Sequence, residues 1–125
     1  IKDAFAEGMD WGAYAKYIED EKPDILGIGG MTPVIDTSFK AIKIARRHVR
    51  HIIMGGPHLS LYRQQVFTQC PEVDFGVAGE GEETTLALIC MTGLFRRGPR
   101  RQRENGKARV LCCIGWCLDG NDLAM

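Results

Sequence analysis

Ile25-Leu26-Gly27-Ile28-Gly29-Gly30-Met31-Thr32-Pro33 decides the reading of this 125-residue chain. Its first four residues carry no polar alternation, the pattern of a strand buried on both faces of a parallel sheet, and they run straight into a glycine turn. The arrangement recurs twice. Ile52-Ile53-Met54 enters Gly55-Gly56-Pro57-His58, and Val73-Asp74-Phe75-Gly76-Val77-Ala78 enters Gly79-Glu80-Gly81-Glu82. In an α/β sheet, three such turns fall along one carboxyl edge, where ligands bind. Residues without a Cβ let backbone amides approach a bound group, and each turn precedes a segment of helical character whose N-terminus attracts anions. The pattern predicts a nucleotide- or cofactor-binding layer.

Working outward, Trp11, Tyr14, Ala15 and Ile18 recur at helical spacing behind Asp10, which stands where an N-cap belongs. Lys22-Pro23-Asp24 ends that helix, because proline disfavours helical geometry at the residue before it. After the first turn, Asp36 or Thr37 is placed to cap a helix whose apolar stripe is Phe39, Ile42, Ala45 and Val49. His51 to Met54 makes the second strand. Leu61 to Gln69 reads as a weaker helix, broken by Cys70-Pro71-Glu72, and Glu82-Glu83-Thr84 opens a last helix through Leu86, Leu88 and Ile89 with its acids favourably placed for the dipole. Strand and helix alternate with short connections, so the expected fold is α/β: a Rossmann-like parallel sheet with helices on both faces. The glycine turns lack the terminal Gly-Lys-Ser/Thr of a phosphate loop, and after Gly27-x-Gly29 a dinucleotide fingerprint needs glycine where Thr32 stands.

The 45% hydrophobic and 26% charged fractions are those of one ordinary globular domain. No run is long enough to span a membrane and no leader pattern opens the chain, so a cytoplasmic location is expected. Ile1-Lys2-Asp3-Ala4 reads as the tail of a strand, and the domain is expected to lack its first strand and helix. Five cysteines leave one unpaired in any intramolecular scheme, which favours reduced thiols over a disulfide framework. Residues 1–91 hold nine Lys/Arg against thirteen Asp/Glu, and 92–125 hold seven against three. The division predicts an α/β domain over 1–91 and a basic, cysteine-containing tail over 92–125, with a hairpin at 103–111 signalled by Asn105-Gly106. No aromatic residue is interleaved between Arg96 and Arg109 to stack on bases, so nucleic acid is not expected as a partner.

At its three turns the sequence resembles the cobalamin-binding domains attached to radical S-adenosylmethionine enzymes, a family that includes the anaerobic magnesium-protoporphyrin monomethyl ester cyclase. The residues that carry the likeness are Asp24 to Pro33, Ile53 to His58 and Val73 to Thr84. The resemblance implies that Gly29, Gly30, Met31, Thr32 and Pro33 line the groove for the nucleotide tail of the corrinoid. It further implies that Gly55, Gly56, Pro57 and His58 let the benzimidazole end pass close to backbone, and that Gly79, Glu80, Gly81 and Glu82 form the neighbouring wall. The corrinoid is then the ligand and the radical S-adenosylmethionine barrel of the parent chain the partner. That barrel is expected to hold a 4Fe-4S cluster and S-adenosylmethionine, neither bound by this chain, which binds and does not catalyse. Two departures stand out. Gly29-Gly30-Met31 replaces the Ser-x-Leu of the broader family, and the Asp-x-His-x-x-Gly segment that supplies a lower cobalt ligand would lie upstream of Ile1.

Other chemistry is poorly served. Cys113 and Cys117 have the first spacing of the Cys-x-x-x-Cys-x-x-Cys cluster motif, but Gly120 occupies the third position, leaving zinc or cluster binding by Cys112, Cys113 and Cys117 as a minor alternative to incidental thiols. Glu80, Glu82 and Glu83 read better as helix-terminal charges than as an acid/base set, and Ser60, Thr84 and Thr85 have no visible His–carboxylate pair to activate them. His58 is either a cobalt ligand or a hydrogen-bonding support of its turn. Two rival readings remain: a non-binding fragment that associates, for instance as a homodimer, through an exposed sheet edge, and a flavodoxin-like or response-regulator-like domain. Replacing Gly55 or Gly56 by a bulky residue is expected to abolish tail binding with little effect on folding.

Overall fold

The structure, a computed structural model, describes residues 7–91 and 110–113. Asp10 caps the first helix as its position demands: its Oδ1 accepts from the Ala13 amide at 2.7 Å, and α1 runs Trp11–Glu21. The helix leaves through Lys22 in the left-handed region (φ 45°), with Pro23 next. β1 (Ile25–Gly29) follows, then a 3-10 turn at Thr32–Val34 that leads directly into α2 (Ile35–Ala45). No side chain caps α2. The expected cap at Asp36 or Thr37 is displaced because the 3-10 turn starts the helix earlier, and Asp36 instead lies within the first turn, where its charge still suits the dipole.

β2 (His51–Gly55) pairs with β1 in parallel, Gly29 opposite Gly55. Beyond it the single helix expected from Leu61 begins earlier, at Pro57, and splits into α3 (Pro57–Tyr62) and α4 (Gln64–Gln69) around Arg63, whose φ of 30° no helix accepts. Pro57 occupies the first helical turn, where its missing N–H costs nothing. β3 is only Phe75–Gly76, but backbone bonds from Asp74 to Ile52 and from Val77 to Met54 extend its pairing with β2 on either side. α5 covers Glu82–Met91 and β4 covers Val110–Cys113.

The four strands among the described residues are all parallel, in the order β3-β2-β1-β4, giving the α/β sheet with flanking helices that the sequence predicts. β4 comes from the stretch set apart as a basic tail and pairs along the outer edge of β1, Ile25 opposite Val110. β1 is thus flanked on both sides, and β3 and β4 form the edges of the described sheet. The Asn105-Gly106 hairpin turn, Cys117 and Gly120, and the segment Ile1 to Ala4 lie outside the described residues.

Side chains alternate between faces along a strand, and the two faces here differ. Leu26, Ile28, Ile52 and Met54 point into the larger core with Tyr14 and Ile18 of α1, Phe39, Ile42 and Ala45 of α2, Leu59 of α3 and Val66 of α4. On the opposite face Ile25 and Ile53 pack with Val77 and with Ile89 of α5. That second face carries Gly27, Gly29 and Gly55 at its carboxyl end, so its covering layer stops short and leaves a depression.

Candidate functional site

The three glycine turns do meet at one edge, and hydrogen bonds lock them together. The Gly30 amide donates to the Gly55 carbonyl at 2.9 Å, and the His58 amide donates back to the Gly30 carbonyl at 3.0 Å. Gly56 sits inside this clasp at φ +99°, so close to the first turn that a Cβ there would stand 2.8 Å from the Gly30 oxygen. Ser38 of α2, itself buried, donates to the Gly29 carbonyl at 3.1 Å and fixes the end of β1 from the other side.

A cleft of 280 Å³ opens on the second face. Its floor is Gly27, Gly29, Ile53 and Gly55, one side is Gly56, Pro57 and Ser60, and the other is Val77, Gly79, Glu80, Gly81, Glu82 and Thr85. Of the residues singled out in the sequence, Gly29, Gly55, Gly56, Pro57 and Gly79 to Glu82 line it. Gly30 does not: a Cβ there would run into Met54 and Ile35 on the opposite face. Met31, Thr32 and Pro33 form the exposed loop and 3-10 turn beyond the rim, outside the cleft lining.

His58 also lies away from the cleft. Its buried ring packs beside Tyr62 (centroids 4.6 Å apart) and edge-on to Phe39, Nδ1 is 3.2 Å from Thr32 Oγ1, and Nε2 is buried without a hydrogen-bond partner. It lines a separate groove with Ile35, Asp36, Phe39, Lys40, Lys43 and Gln69 on the α2 side of the sheet. The Nδ1 contact ties the ring to the first turn at Thr32, while Nε2 has no partner among the described residues.

Gly27, Ile28, Ile53, Ser60, Val77 and Thr85 also line the cleft and were not among the predicted site residues. Gly27 and Ile53 were recoverable, being two residues before Gly29 and Gly55 and hence on the same face. Ser60 belongs to the first turn and a half of α3, where reading Pro57 as the helix start would have placed it facing back to Gly56. Its hydroxyl donates to the Gly56 carbonyl at 3.2 Å and accepts from the Gly79 amide at 2.9 Å.

Among the described residues the lining is mainly apolar, and its charged side chains are the carboxylates of Glu80 and Glu82. Glu82 and Glu83 stand in the first turn of α5 and offset the positive end of its dipole. The cleft so described offers a phosphate no cationic side-chain partner. Its volume is near the lower limit of ~300–1,000 Å³ for small-molecule pockets, which suits one arm of a large ligand. The floor fits such an arm: a Cβ on Gly55 would meet nothing closer than the Val77 carbonyl, at an ordinary contact distance of 3.7 Å, so no close packing requires glycine there. Among the described residues no cluster of His, Cys, Asp and Glu could hold a metal ion, and Cys70 and Cys90 are free thiols. No helix among them is long and apolar enough to cross a membrane.

Comparison with known proteins gives the same direction. An uncharacterized methyltransferase of Pyrococcus horikoshii is 33% identical over 115 residues, covering 87% of this chain and 25% of that protein. The anaerobic magnesium-protoporphyrin IX monomethyl ester cyclase of Rubrivivax gelatinosus is 31% identical over 108 residues (85% of this chain, 20% of that protein), and the cyclase of the same name from Cereibacter sphaeroides is 29% identical over 89 (70% and 14%). The chain thus spans a quarter or less of the length of these relatives. The N-terminal domain of a hypothetical protein from Thermotoga maritima shares the fold, with a TM-score of 0.53 at 19% identity over 87% of this chain and 82% of that one. The family model for the B12 binding domain matches residues 8–89, a span that holds all three glycine turns and every described residue that lines the cleft. By that match the chain belongs to the B12-binding domain family.

Proposed function

We propose that this chain is the corrinoid-holding module of a B12-dependent radical S-adenosylmethionine enzyme, of the cyclase or methyltransferase type, and that it takes the nucleotide tail of cobalamin into the cleft over Gly27, Gly29 and Gly55. The observation that carries the reading is the glycine-rich floor on one sheet face, at a carboxyl edge, in a chain of the B12-binding family. Bound there, cobalamin supplies a cobalt centre for chemistry in a neighbouring domain that holds the 4Fe-4S cluster and S-adenosylmethionine. This chain's own residues bind and orient. Gly27, Gly29 and Gly55 would let the base of the tail approach backbone, and Ile53 and Val77 would give it apolar contact. Cytoplasmic chemistry with reduced thiols accords with the free Cys70 and Cys90.

Titration of the chain with cobalamin, followed by absorbance and calorimetry, tests the proposal, with flavin mononucleotide as the control ligand. Saturable uptake of cobalamin alone is expected; flavin binding at equal affinity would overturn it. In the alternative reading, association through a sheet edge, a second copy would add to β3 or β4, the edges of the described sheet.

A further inference from the structure

The wall of the cleft between Val77 and α5 is built with little support. Val77 is held to β2 through the Met54 carbonyl at 2.8 Å, and Thr85 donates to Gly81 at 2.8 Å as part of α5. Between these points Gly79 lies at φ +78° with nothing within 4 Å of where a Cβ would be, and Glu80 is exposed. Among the described residues, the hydrogen bond that joins residues 78–81 to the opposite side of the cleft is the one from the Gly79 amide to Ser60 Oγ, at 2.9 Å. Ser60 is itself anchored, its hydroxyl proton directed to the Gly56 carbonyl at 3.2 Å. One hydroxyl therefore bridges the second and third glycine turns, proton to one side and lone pair to the other. A serine in a helix commonly donates back to the carbonyl four residues earlier; here the lone pair left by that bond is what receives the wall.

We propose that Ser60 is a positioning residue for the ligand: its hydroxyl sets the separation between the Gly56-Pro57 side and the Gly79–Glu82 side, holding the cleft at the width of a flat heterocycle. The inference rests on the cleft being the cobalamin tail site, and deepens that reading by naming what keeps the site formed before ligand arrives. Preorganisation of this kind raises affinity by removing the ordering cost at binding.

The test compares the unsubstituted chain with Ser60→Ala and Ser60→Thr, the latter keeping the hydroxyl. In Ser60→Ala, amide exchange at Gly79 should accelerate while exchange at Val77, bonded to Met54, stays as it was, and cobalamin affinity should fall about tenfold, the worth of one such hydrogen bond; Ser60→Thr should keep both properties. Equal Gly79 exchange in all three chains, or equal cobalamin affinity with and without the hydroxyl, would overturn the proposal. So would a Ser60→Ala chain that no longer folds, since the hydroxyl would then support the domain and not the wall. The exchange measurement needs no ligand. A chain that takes up no cobalamin yet loses Gly79 protection in Ser60→Ala would therefore reject the cofactor reading and leave the bridge standing.

Discussion

Gly55 and Gly56 are neighbours with opposite reasons for being glycine. Gly55 ends β2 in open space above the cleft, whereas Gly56 is pinned at φ +99° against the Gly30 backbone. The expectation that either can be enlarged without harm to the fold therefore holds for the geometry of Gly55 and fails for Gly56. Gly55→Val should leave the thermal midpoint nearly unchanged, since a β-branched residue suits a strand end, while weakening cobalamin binding by about 2 kcal/mol or more, the penalty of overfilling a site. Gly56→Val should cost about 1–3 kcal/mol of stability through backbone strain alone, measured by denaturant unfolding. Cys70 offers a separate check. Burial and then the Glu72 carboxylate, which accepts from Sγ at 3.4 Å, push its thiol up to about 11 from 9.0. The folded thiol stays protonated where the unfolded one ionises, so its contribution is complete below pH 9 and is lost as the pH climbs from about 9 through about 11. Unfolding midpoints should fall over that window, and a thiol reagent at neutral pH should label exposed Cys90 and spare Cys70.

At the scale of elements, the amino edge of the sheet is braced as firmly as the carboxyl edge is open. Arg46, just past α2, meets Asp74 at 2.7 Å and also donates to the Glu72 and Arg50 carbonyls, while the same Asp74 Oδ2 accepts from the Ile52 amide at 2.8 Å. One carboxylate thus ties α2, β2 and the approach to β3. Asp74→Ala should lower stability by about 1–2 kcal/mol, tempered by the pair's partial exposure, with cobalamin affinity unchanged because the brace lies at the far end of the strands from the cleft. The strands and their turns were legible because unbroken apolar runs ending in glycine have one economical explanation, a parallel strand stopping at a ligand edge. The start of α2 was not, since a 3-10 turn containing Pro33 supersedes the side-chain cap that Asp36 suggests. Nor was the break at Arg63, where a non-glycine residue takes positive φ without any local signal. β4 pairs across a long stretch of chain, and no short-range pattern in Val110 to Cys113 names β1 as its neighbour.

Over the whole molecule, the two faces of one sheet divide the labour. Among the described residues, four helices close the first face into the main core and α5 packs on part of the second, leaving the glycine floor beside it. The site was half legible for the same reason: glycines announce the edge, but which face they open onto follows only when alternation is carried back along each strand, to Gly27 and Ile53. That step also separates Gly29 from Gly30, whereas the 3-10 turn at Thr32–Val34 and the helix from Pro57 set Met31, Thr32, Pro33 and His58 outside this lining. Calorimetric titration of the chain and its Gly55→Val variant with cobalamin is the most direct test of this arrangement. The account predicts one saturable site in the unsubstituted chain and its loss in a variant that remains folded; equal binding by both would contradict it.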